Sequence, residues 1–211
     1  MRKTESLRLR RAFTLIELLL VVTIIGILSA ILIPTTAAVR VSAKRAQTKV
    51  LFAQWATAIE QFRQEYGYYP DVTTPNRLLD PTKFFAALTG RDFAGHELTG
   101  PALNGNKRRL ALLAVFDTDQ LKDAAGHLDN SLTDAFGNSE VVILTDDDGD
   151  GLIRRAELVP TAVRPGNRVN GYGPAVAPDP ANYPPEGVRA AVLLYSAGRG
   201  RGEEDIVCSR R

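Results

Sequence analysis

The chain has 211 residues, a formal net charge of +2, 45% apolar residues and 24% charged residues. This balance is typical of a globular protein of modest size. The small net charge, without a basic stripe interleaved with aromatic residues, argues against a nucleic-acid-binding protein. Cys208 is the only cysteine, which excludes an intrachain disulfide.

The first predicted element is an apolar helix preceded by a basic stretch. Residues 13–33 are nearly all apolar, and a helix of this length spans about 31 Å, which matches the hydrocarbon core of a bilayer. Positive charges in front of it predict that the N-terminus stays in the cytoplasm and that the rest of the chain lies across the membrane. These charges are Arg2, Lys3, Arg8, Arg10 and Arg11, offset by Glu5.

Glu17 is unusual inside this apolar run, and three interpretations remain open. The segment is a plain membrane anchor that tolerates Glu17 near the interface, or a secretory signal peptide cleaved after Ala38. Alternatively, cleavage between Ala12 and Phe13 leaves Glu17 one helical turn from a new, positively charged amine. Two charges about 4 Å apart attract by on the order of 4 kcal/mol at an effective dielectric constant near 20, which offsets the cost of burying the carboxylate. Glu17 would then fix the stagger of neighbouring subunits.

The residues "RAFTLIELLLVVTIIGILSAILIP" resemble the class III leader and first helix of type IV pilins and type II secretion pseudopilins. The resemblance implies cleavage between Ala12 and Phe13, N-methylation of Phe13 and a role for Glu17 in assembly. Ala12 stands where these families usually have glycine. The implied partners are further copies of the chain, other pseudopilins, a prepilin peptidase and methyltransferase, and an assembly platform in the inner membrane driven by a cytoplasmic ATPase.

Residues 35–66 predict an amphipathic continuation of this helix. Pro34 lacks an N–H and is predicted to kink or locally melt the helix, while Gly67 and Pro70 are predicted to end it. Apolar residues recur at three- and four-residue steps and predict a face packed on the chain's own sheet. They are Leu51, Trp55, Ala58, Ile59, Phe62 and Tyr66.

Residues 67–211 predict a globular head. The stretch "DPTKFFAALTG" predicts a short helix with Asp80 as N-cap, Pro81 at the first position and Gly90 after the end. Three apolar runs predict strands, namely Leu110–Val115, Glu140–Thr145 and Ala190–Ser196. The expected fold class is therefore α+β and pilin-like, with the long N-terminal helix packed on a small antiparallel sheet.

The stretch "DDDGDGLIRRAE", residues 146–157, has the spacing of an EF-hand calcium loop. Alternate carboxylates would surround one calcium ion, and Gly151 would permit the sharp turn. The predicted ligands are Asp146, Asp148, Asp150, the carbonyl of Leu152, and Glu157. The run before the loop reads as a strand, so an isolated loop is expected and not a paired EF-hand. The alternative is an acidic, solvated turn without a metal.

Two further stretches of the head resemble the major pseudopilin family. They are "LTDAFGN" at 132–138 and "YSAGRGRGEEDIV" at 195–207, and the second carries a calcium site in some family members. Arg199 stands where the family often has aspartate, so the acidic residues here are predicted to form solvated ion pairs with nearby arginines. The acidic residues are Glu203, Glu204 and Asp205, and the arginines are Arg199 and Arg201.

No pattern of catalytic residues accompanies these features. His96 and His127 are isolated, and the sequence contains no nucleophile elbow, phosphate loop or HExxH motif. The chain is therefore expected not to be an enzyme.

The sequence predicts a structural subunit of a type II secretion pseudopilus or a related type IV pilus-like filament. Its parts would be a leader (1–12), a membrane-spanning and filament-core helix (13–34), the helix continuation (35–66) and the head (67–211). The chain would cross the bacterial inner membrane once, with its head in the periplasm, and join the pseudopilus on assembly. The alternative is a membrane-anchored or secreted calcium-binding domain with a conventional anchor or signal peptide.

Overall fold

The computed structural model describes residues 14–113, 132–157, 161–166 and 173–209, with the backbone alone for 31–36. The chain divides into two compact units, Met1–Ser42 and Ala43–Arg211. The predicted α+β fold is confirmed, because an N-terminal helix packs on a small antiparallel sheet. The helices are α1 (Leu15–Tyr66) and α2 (Pro81–Thr89), and the strands are β1 (Val141–Thr145), β2 (Val192–Ser196) and β3 (Val207–Cys208).

Helix α1 begins at Leu15 and is continuous through Pro34, so the predicted local melting is absent. It ends as predicted, because Gly67 adopts a φ of 81° and donates its N–H to the carbonyl of Arg63 at 2.7 Å. Across the described part of the chain, none of the helices offers an apolar stretch long enough to cross a bilayer. Phe13 and the side chains of 31–34, which belong to the predicted span, lie outside the described residues.

The first unit contains the apolar part of α1. Its large aliphatic side chains between Leu15 and Leu28 are 45–81% exposed. A continuous apolar surface of this kind marks contact with lipid or with another protein. Among the described residues of this unit, none covers these side chains.

Helix α2 has the caps predicted for it. The carboxylate of Asp80 accepts hydrogen bonds from the N–H groups of Thr82 (3.0 Å) and Lys83 (3.1 Å). At the other end Gly90 has a φ of 69° and donates its N–H to the carbonyl of Ala86. The helix buries Phe84, Phe85, Ala86, Ala87 and Leu88.

The three strands form one antiparallel sheet in the order β1-β2-β3. Successive side chains of a strand point to opposite faces, and both faces of this sheet are covered. One face packs against α1 and α2, where the ring of Trp55 lies 5.2 Å from that of Phe84. This face presents Val141, Ile143, Val192 and Leu194. The opposite face, covered by the later loops, presents Val142, Leu144, Leu193 and Tyr195.

The predicted face of α1 is confirmed from residue 51 onwards. Leu51, Trp55, Ala58, Ile59 and Phe62 are all buried, and Tyr66 is half-buried against the same core. This face lies on the chain's own sheet and on α2, as the three- and four-residue spacing predicted.

One predicted strand is wrong. Within the described part of the run Leu110–Val115, residues 110–113 form no strand, and 114–115 lie outside the described residues. The N–H groups of Leu112 and Leu113 both donate to the carbonyl of Leu88, where α2 ends, so they do not form a ladder with a neighbouring strand. Their side chains pack against the core from an irregular segment. The third strand is instead the two-residue β3.

Candidate functional site

Thr14 and Glu17 close the N-terminal end of α1. Glu17 Oε2 accepts hydrogen bonds from the Thr14 N–H (2.9 Å) and the Thr14 hydroxyl (2.8 Å). In return, the Glu17 N–H donates to Thr14 Oγ1 at 3.3 Å. This reciprocal pair is a capping box, with Thr14 as N-cap and Glu17 at the third helical position. Thr14 was not among the predicted site residues, although Thr-x-x-Glu is the sequence signature of a capping box.

The capping box folds the carboxylate of Glu17 back towards the chain's N-terminus. Within the described residues, no hydrogen bond is recorded to the second carboxylate oxygen, Oε1. Glu17 is exposed, as are the apolar side chains beside it. Ala12 and Phe13, the predicted cleavage residues, lie outside the described residues.

The acidic loop begins directly after β1. The N–H of Asp146 donates to the carbonyl of Ala191 at 3.0 Å, which extends the pairing with β2 by one residue and fixes where the loop starts. Gly149 and Gly151 have φ values of 78° and 79°, a conformation that favours glycine. The structure brings three of the predicted ligands together, because carboxylate oxygens of Asp146, Asp148 and Asp150 all lie within 4.8 Å of one another.

Backbone N–H groups hold the buried carboxylate of this trio. Asp146 accepts hydrogen bonds from Gly149 (2.9 Å) and Gly151 (2.8 Å). Burial opposes its ionisation, but the hydrogen bond from Gly151, one with Asp148 and one from Gly149 outweigh burial, so the pKa of Asp146 is lowered. The pKa of Asp148 is raised, chiefly because its carboxyl shares that hydrogen bond with Asp146.

Arg154 is the loop's own counter-charge. Its Nη2 lies 2.6 Å from an oxygen of Asp150 and 3.4 Å from one of Asp148. Arg63 of α1 also approaches the loop. A Cβ atom, if one were added at Gly149, would lie 3.0 Å from Nη2 of Arg63. Carboxylates gathered this closely repel one another, and the two guanidinium groups reduce that repulsion.

Glu157 is not part of this trio. Glu157 Oε2 accepts a hydrogen bond from the Arg154 N–H at 2.7 Å, and the Glu157 carbonyl accepts one from Arg77 Nη1. Leu152 donates its N–H to Asp150 Oδ1 at 2.8 Å. The residues that gather are thus the first three ligands of the calcium-loop pattern.

Residues 132–138 and 195–207 meet in a buried polar cluster around Asp134. Its carboxylate accepts hydrogen bonds from the Ser196 hydroxyl (2.6 Å), the Phe136 N–H (2.8 Å), and the Asn138 N–H (2.9 Å) and Nδ2 (2.8 Å). Asn138 Nδ2 also donates to the carbonyl of Gly198. Burial raises the pKa of Asp134, although the hydrogen bonds from Ser196, Asn138 and Phe136 oppose the shift. This cluster ties the 134–138 turn to β2 and to the turn after it.

Of the three closing acidic residues, only Asp205 forms ion pairs within the described residues, and the prediction that these pairs are solvated is wrong. Its side chain is only 3% exposed and lies 3.1 Å from Arg199 Nε and 3.3 Å from Arg45 Nη2 on α1. The Arg201 contact is through its backbone N–H, which donates to Asp205. Glu203 accepts hydrogen bonds from the N–H of Asp179 and from Asn182 Nδ2. The C-terminal turn is therefore held by two arginines, one of them on α1.

The two histidines lie apart from these features. His96 Nδ1 lies 3.0 Å from Asp92, in an exposed pair. This contact lowers the pKa of Asp92. His127 lies outside the described residues.

Comparison with known proteins points to the N-terminal segment. Residues 7–33 match the family described as the prokaryotic N-terminal methylation motif. No match to this chain is found among curated proteins or solved structures. Pilin-like structural subunits, which carry such prepilin-type leaders, are typically non-enzymatic. The motif and the α+β fold together support a type IV pilin-like filament subunit.

Proposed function

We propose that the chain is a subunit of a type II secretion pseudopilus, made as a precursor and polymerised through α1. The observation that carries the proposal is the methylation motif at 7–33, with Glu17 at the third position of the helix that follows. Before assembly the apolar half of α1 anchors the subunit in the inner membrane, with the head in the periplasm. Its partners are copies of itself, other pseudopilins, the prepilin peptidase and methyltransferase, and the inner-membrane assembly platform.

Glu17 acts as the assembly contact in this proposal. Thr14 occupies one carboxylate oxygen and holds the side chain in place, which leaves Oε1 for the Phe13 amine of a neighbouring subunit. At about 4 Å such a pair contributes on the order of 4 kcal/mol at an effective dielectric constant near 20. Because the amine and the carboxylate belong to different copies, the contact would set the axial stagger of packed helices.

The substitution Glu17→Ala tests this mechanism. The variant is expected to be processed normally and to reach the membrane but to form no filaments in sheared fractions. Glu186→Ala, which removes an exposed carboxylate of the head, is the matched control and should assemble. Normal filaments from the Glu17→Ala subunit would refute the assembly role.

The choice of secretion over adhesion rests on the resemblance of residues 132–138 and 195–207 to major pseudopilins. These two stretches share the buried cluster around Asp134. Deleting the gene should leave secreted proteins trapped inside the cell and spare surface adhesion. Loss of adhesion with normal secretion would assign the subunit to a pilus instead.

We also propose that the acidic loop binds one calcium ion. The spacing of residues 146–157 carries this proposal. Asp146, Asp148 and Asp150 would be the first ligands, and Leu152 and Glu157 would complete the shell after Glu157 turns towards them. A dissociation constant of roughly 0.1–1 mM is typical of extracellular calcium modules. A tenfold excess of calcium over that constant would add about 1.4 kcal/mol to the free energy of unfolding.

Thermal unfolding of the full chain with calcium, magnesium or chelator tests the metal. Calcium should raise the Tm of the wild type and of Asp147→Asn, whose carboxylate bonds to Thr145 outside the trio. Calcium should leave the Tm of Asp148→Ala unchanged, because alanine offers no ligand oxygen at this position of the loop. Equal Tm values for the wild type with calcium and with chelator would refute the proposed metal site. The same loop would be the functional part if the chain were an anchored or secreted calcium-binding domain.

A further inference from the structure

Arg154 contacts the carboxylate oxygens of the acidic loop that, in the described part of the chain, accept no backbone hydrogen bond. Both oxygens of Asp146 accept N–H groups. Oδ1 of Asp148 accepts from the N–H of Asp150 (3.3 Å), and Oδ1 of Asp150 accepts from the N–H of Leu152 (2.8 Å). The second oxygens, Oδ2 of Asp148 and Oδ2 of Asp150, lie 3.4 Å and 2.6 Å from Arg154 Nη2. The guanidinium therefore lies against the two oxygens that a bound cation would use.

Arg154 occupies the ninth position of the twelve-residue pattern that begins at Asp146. In EF-hand loops this position contributes to the coordination of the ion, often through a water molecule. A guanidinium group offers N–H donors and no acceptor, so it cannot bind a metal ion. The chain thus places a cation of its own at a position where the pattern calls for a ligand.

The two guanidinium groups near the loop differ in how firmly they are held. Arg63 lies over the ring of Tyr69, 4.6 Å from its centre, and donates from Nη1 to the Tyr69 hydroxyl at 2.6 Å. That hydroxyl donates in turn to the carbonyl of Ala191 at 3.1 Å. The side chain of Arg154 is 55% exposed, and within the described residues its guanidinium pairs with loop carboxylates alone. Arg154 can therefore leave the loop by turning into solvent, whereas Arg63 would first have to break its contacts with Tyr69.

We propose that Arg154 is a resident counter-ion of the acidic loop, which calcium must displace from Asp148 and Asp150 in order to bind. This inference rests on the calcium site proposed above. Without calcium, the guanidinium reduces the repulsion among the carboxylates and stabilises the loop. With calcium, the same positive charge opposes binding, because the guanidinium and the ion compete for the same two oxygens. Arg154 thereby makes the head less dependent on calcium and weakens the affinity of the site.

The expected size of the effect follows from the two exposed contacts of Arg154. An exposed ion pair changes an equilibrium constant by roughly 1.4- to 5-fold. Calcium must break both pairs, and a guanidinium that stays near the ion adds repulsion. We therefore expect Arg154→Gln to lower the calcium dissociation constant by about tenfold. Added monovalent salt should reduce this ratio, because exposed pairs are screened.

Calcium titration calorimetry on the full chain, in micelles of an uncharged detergent, tests the competition. Arg154→Gln should bind calcium about tenfold more tightly than the wild type, whereas Arg154→Lys, which keeps the charge, should stay within about threefold of it. Arg155→Gln is the matched control, because Arg155 is the next residue and pairs with no described carboxylate. This control should bind calcium as the wild type does. In chelator, the Tm of Arg154→Gln should fall below that of the wild type by up to about 4 °C, and the Tm of Arg155→Gln should not.

The contrary outcomes separate the calcium site from the counter-ion. If neither the wild type nor Arg154→Gln binds calcium, the calcium site is refuted and the competition with it. Equal dissociation constants for the wild type and Arg154→Gln would overturn the competition and leave the calcium site intact. Equally tight binding by Arg154→Gln and Arg155→Gln would trace the effect to net charge and overturn the role of the Arg154 contacts. An unchanged Tm of Arg154→Gln in chelator would overturn the resident counter-ion.

Discussion

Replacing Asp134 is expected to destabilise the head more than any other single polar substitution in the buried cluster. Asp134→Ala removes the acceptor for the N–H groups of Phe136 and Asn138 and for the hydroxyl of Ser196. Each buried donor left without a partner costs about 1–3 kcal/mol, and water entering the vacated space offsets part of the sum. We expect a loss of about 3 kcal/mol in the free energy of unfolding. For a domain of this size the Tm should fall by roughly 6–12 °C.

Asp134→Asn isolates the ionisation of this residue. The amide keeps one acceptor oxygen, so the expected loss near neutral pH is only about 1 kcal/mol. Burial raises the pKa of Asp134 in the folded chain, so the folded state binds its proton at a higher pH than the unfolded state does. The stability contributed by this difference is fully present below the unfolded pKa and is lost as the pH rises through the folded pKa. The wild type should therefore gain stability relative to Asp134→Asn as the pH falls towards 4.

Fluorescence of Trp55 provides the assay. It is the only tryptophan and is 1% exposed, so its emission shifts to the red when the head unfolds. Thermal unfolding of the full chain in detergent micelles would be followed from about pH 7 to pH 4. If Asp134→Ala lowered the free energy of unfolding by less than about 1 kcal/mol, the stabilising role assigned to these hydrogen bonds would be refuted. A difference between the wild type and Asp134→Asn that shrinks on acidification would refute the direction of the pKa shift.

Three further substitutions and one control test the packing of the head. Trp55→Ala should cost about 3–5 kcal/mol, measured by circular dichroism, whereas Val50→Ala on the exposed side of α1 should change stability by less than about 0.5 kcal/mol. Gly198→Ala should prevent the head from folding, because Gly198 has a φ of 57° and an added Cβ would lie 2.0 Å from the Asp205 carbonyl oxygen. Asp205→Asn should lower the free energy of unfolding by about 2 kcal/mol through its lost ion pairs with Arg199 and Arg45. Added salt should change this difference little, because the carboxylate of Asp205 is buried.

The elements with local signals were predictable from the sequence. Asp80, Pro81 and Gly90 encode both ends of α2 because capping depends on neighbours within a few positions. The strand at Leu110–Val115 was predicted wrongly because an apolar run alone does not specify a hydrogen-bonding partner. The N–H groups of Leu112 and Leu113 donate instead to the carbonyl of Leu88, near the end of α2. β3 escaped prediction because two residues are too few for a periodic pattern.

The candidate sites also differ in whether local sequence was enough to predict them. The trio of Asp146, Asp148 and Asp150 follows from spacing within one loop, so the sequence was sufficient to bring them together. The burial of Asp205 depends on Arg45, which lies 160 positions earlier in the chain. Sequence spacing does not predict a contact between residues so far apart in the chain. Acidic residues are mostly exposed, so exposed ion pairs were expected for this stretch. Burial of such a group follows only from the tertiary packing of α1 on the C-terminal turn.

The N-terminal residue and mass of the protein, isolated from its own membrane fraction, test the central claim most directly. A chain that begins at Phe13 and carries one extra methyl group is the predicted result, and it would establish prepilin processing at Ala12. A start at Val39 would identify a cleaved signal peptide and a free exported domain. An intact Met1 would leave a simple anchor, and either of these two results would contradict the account.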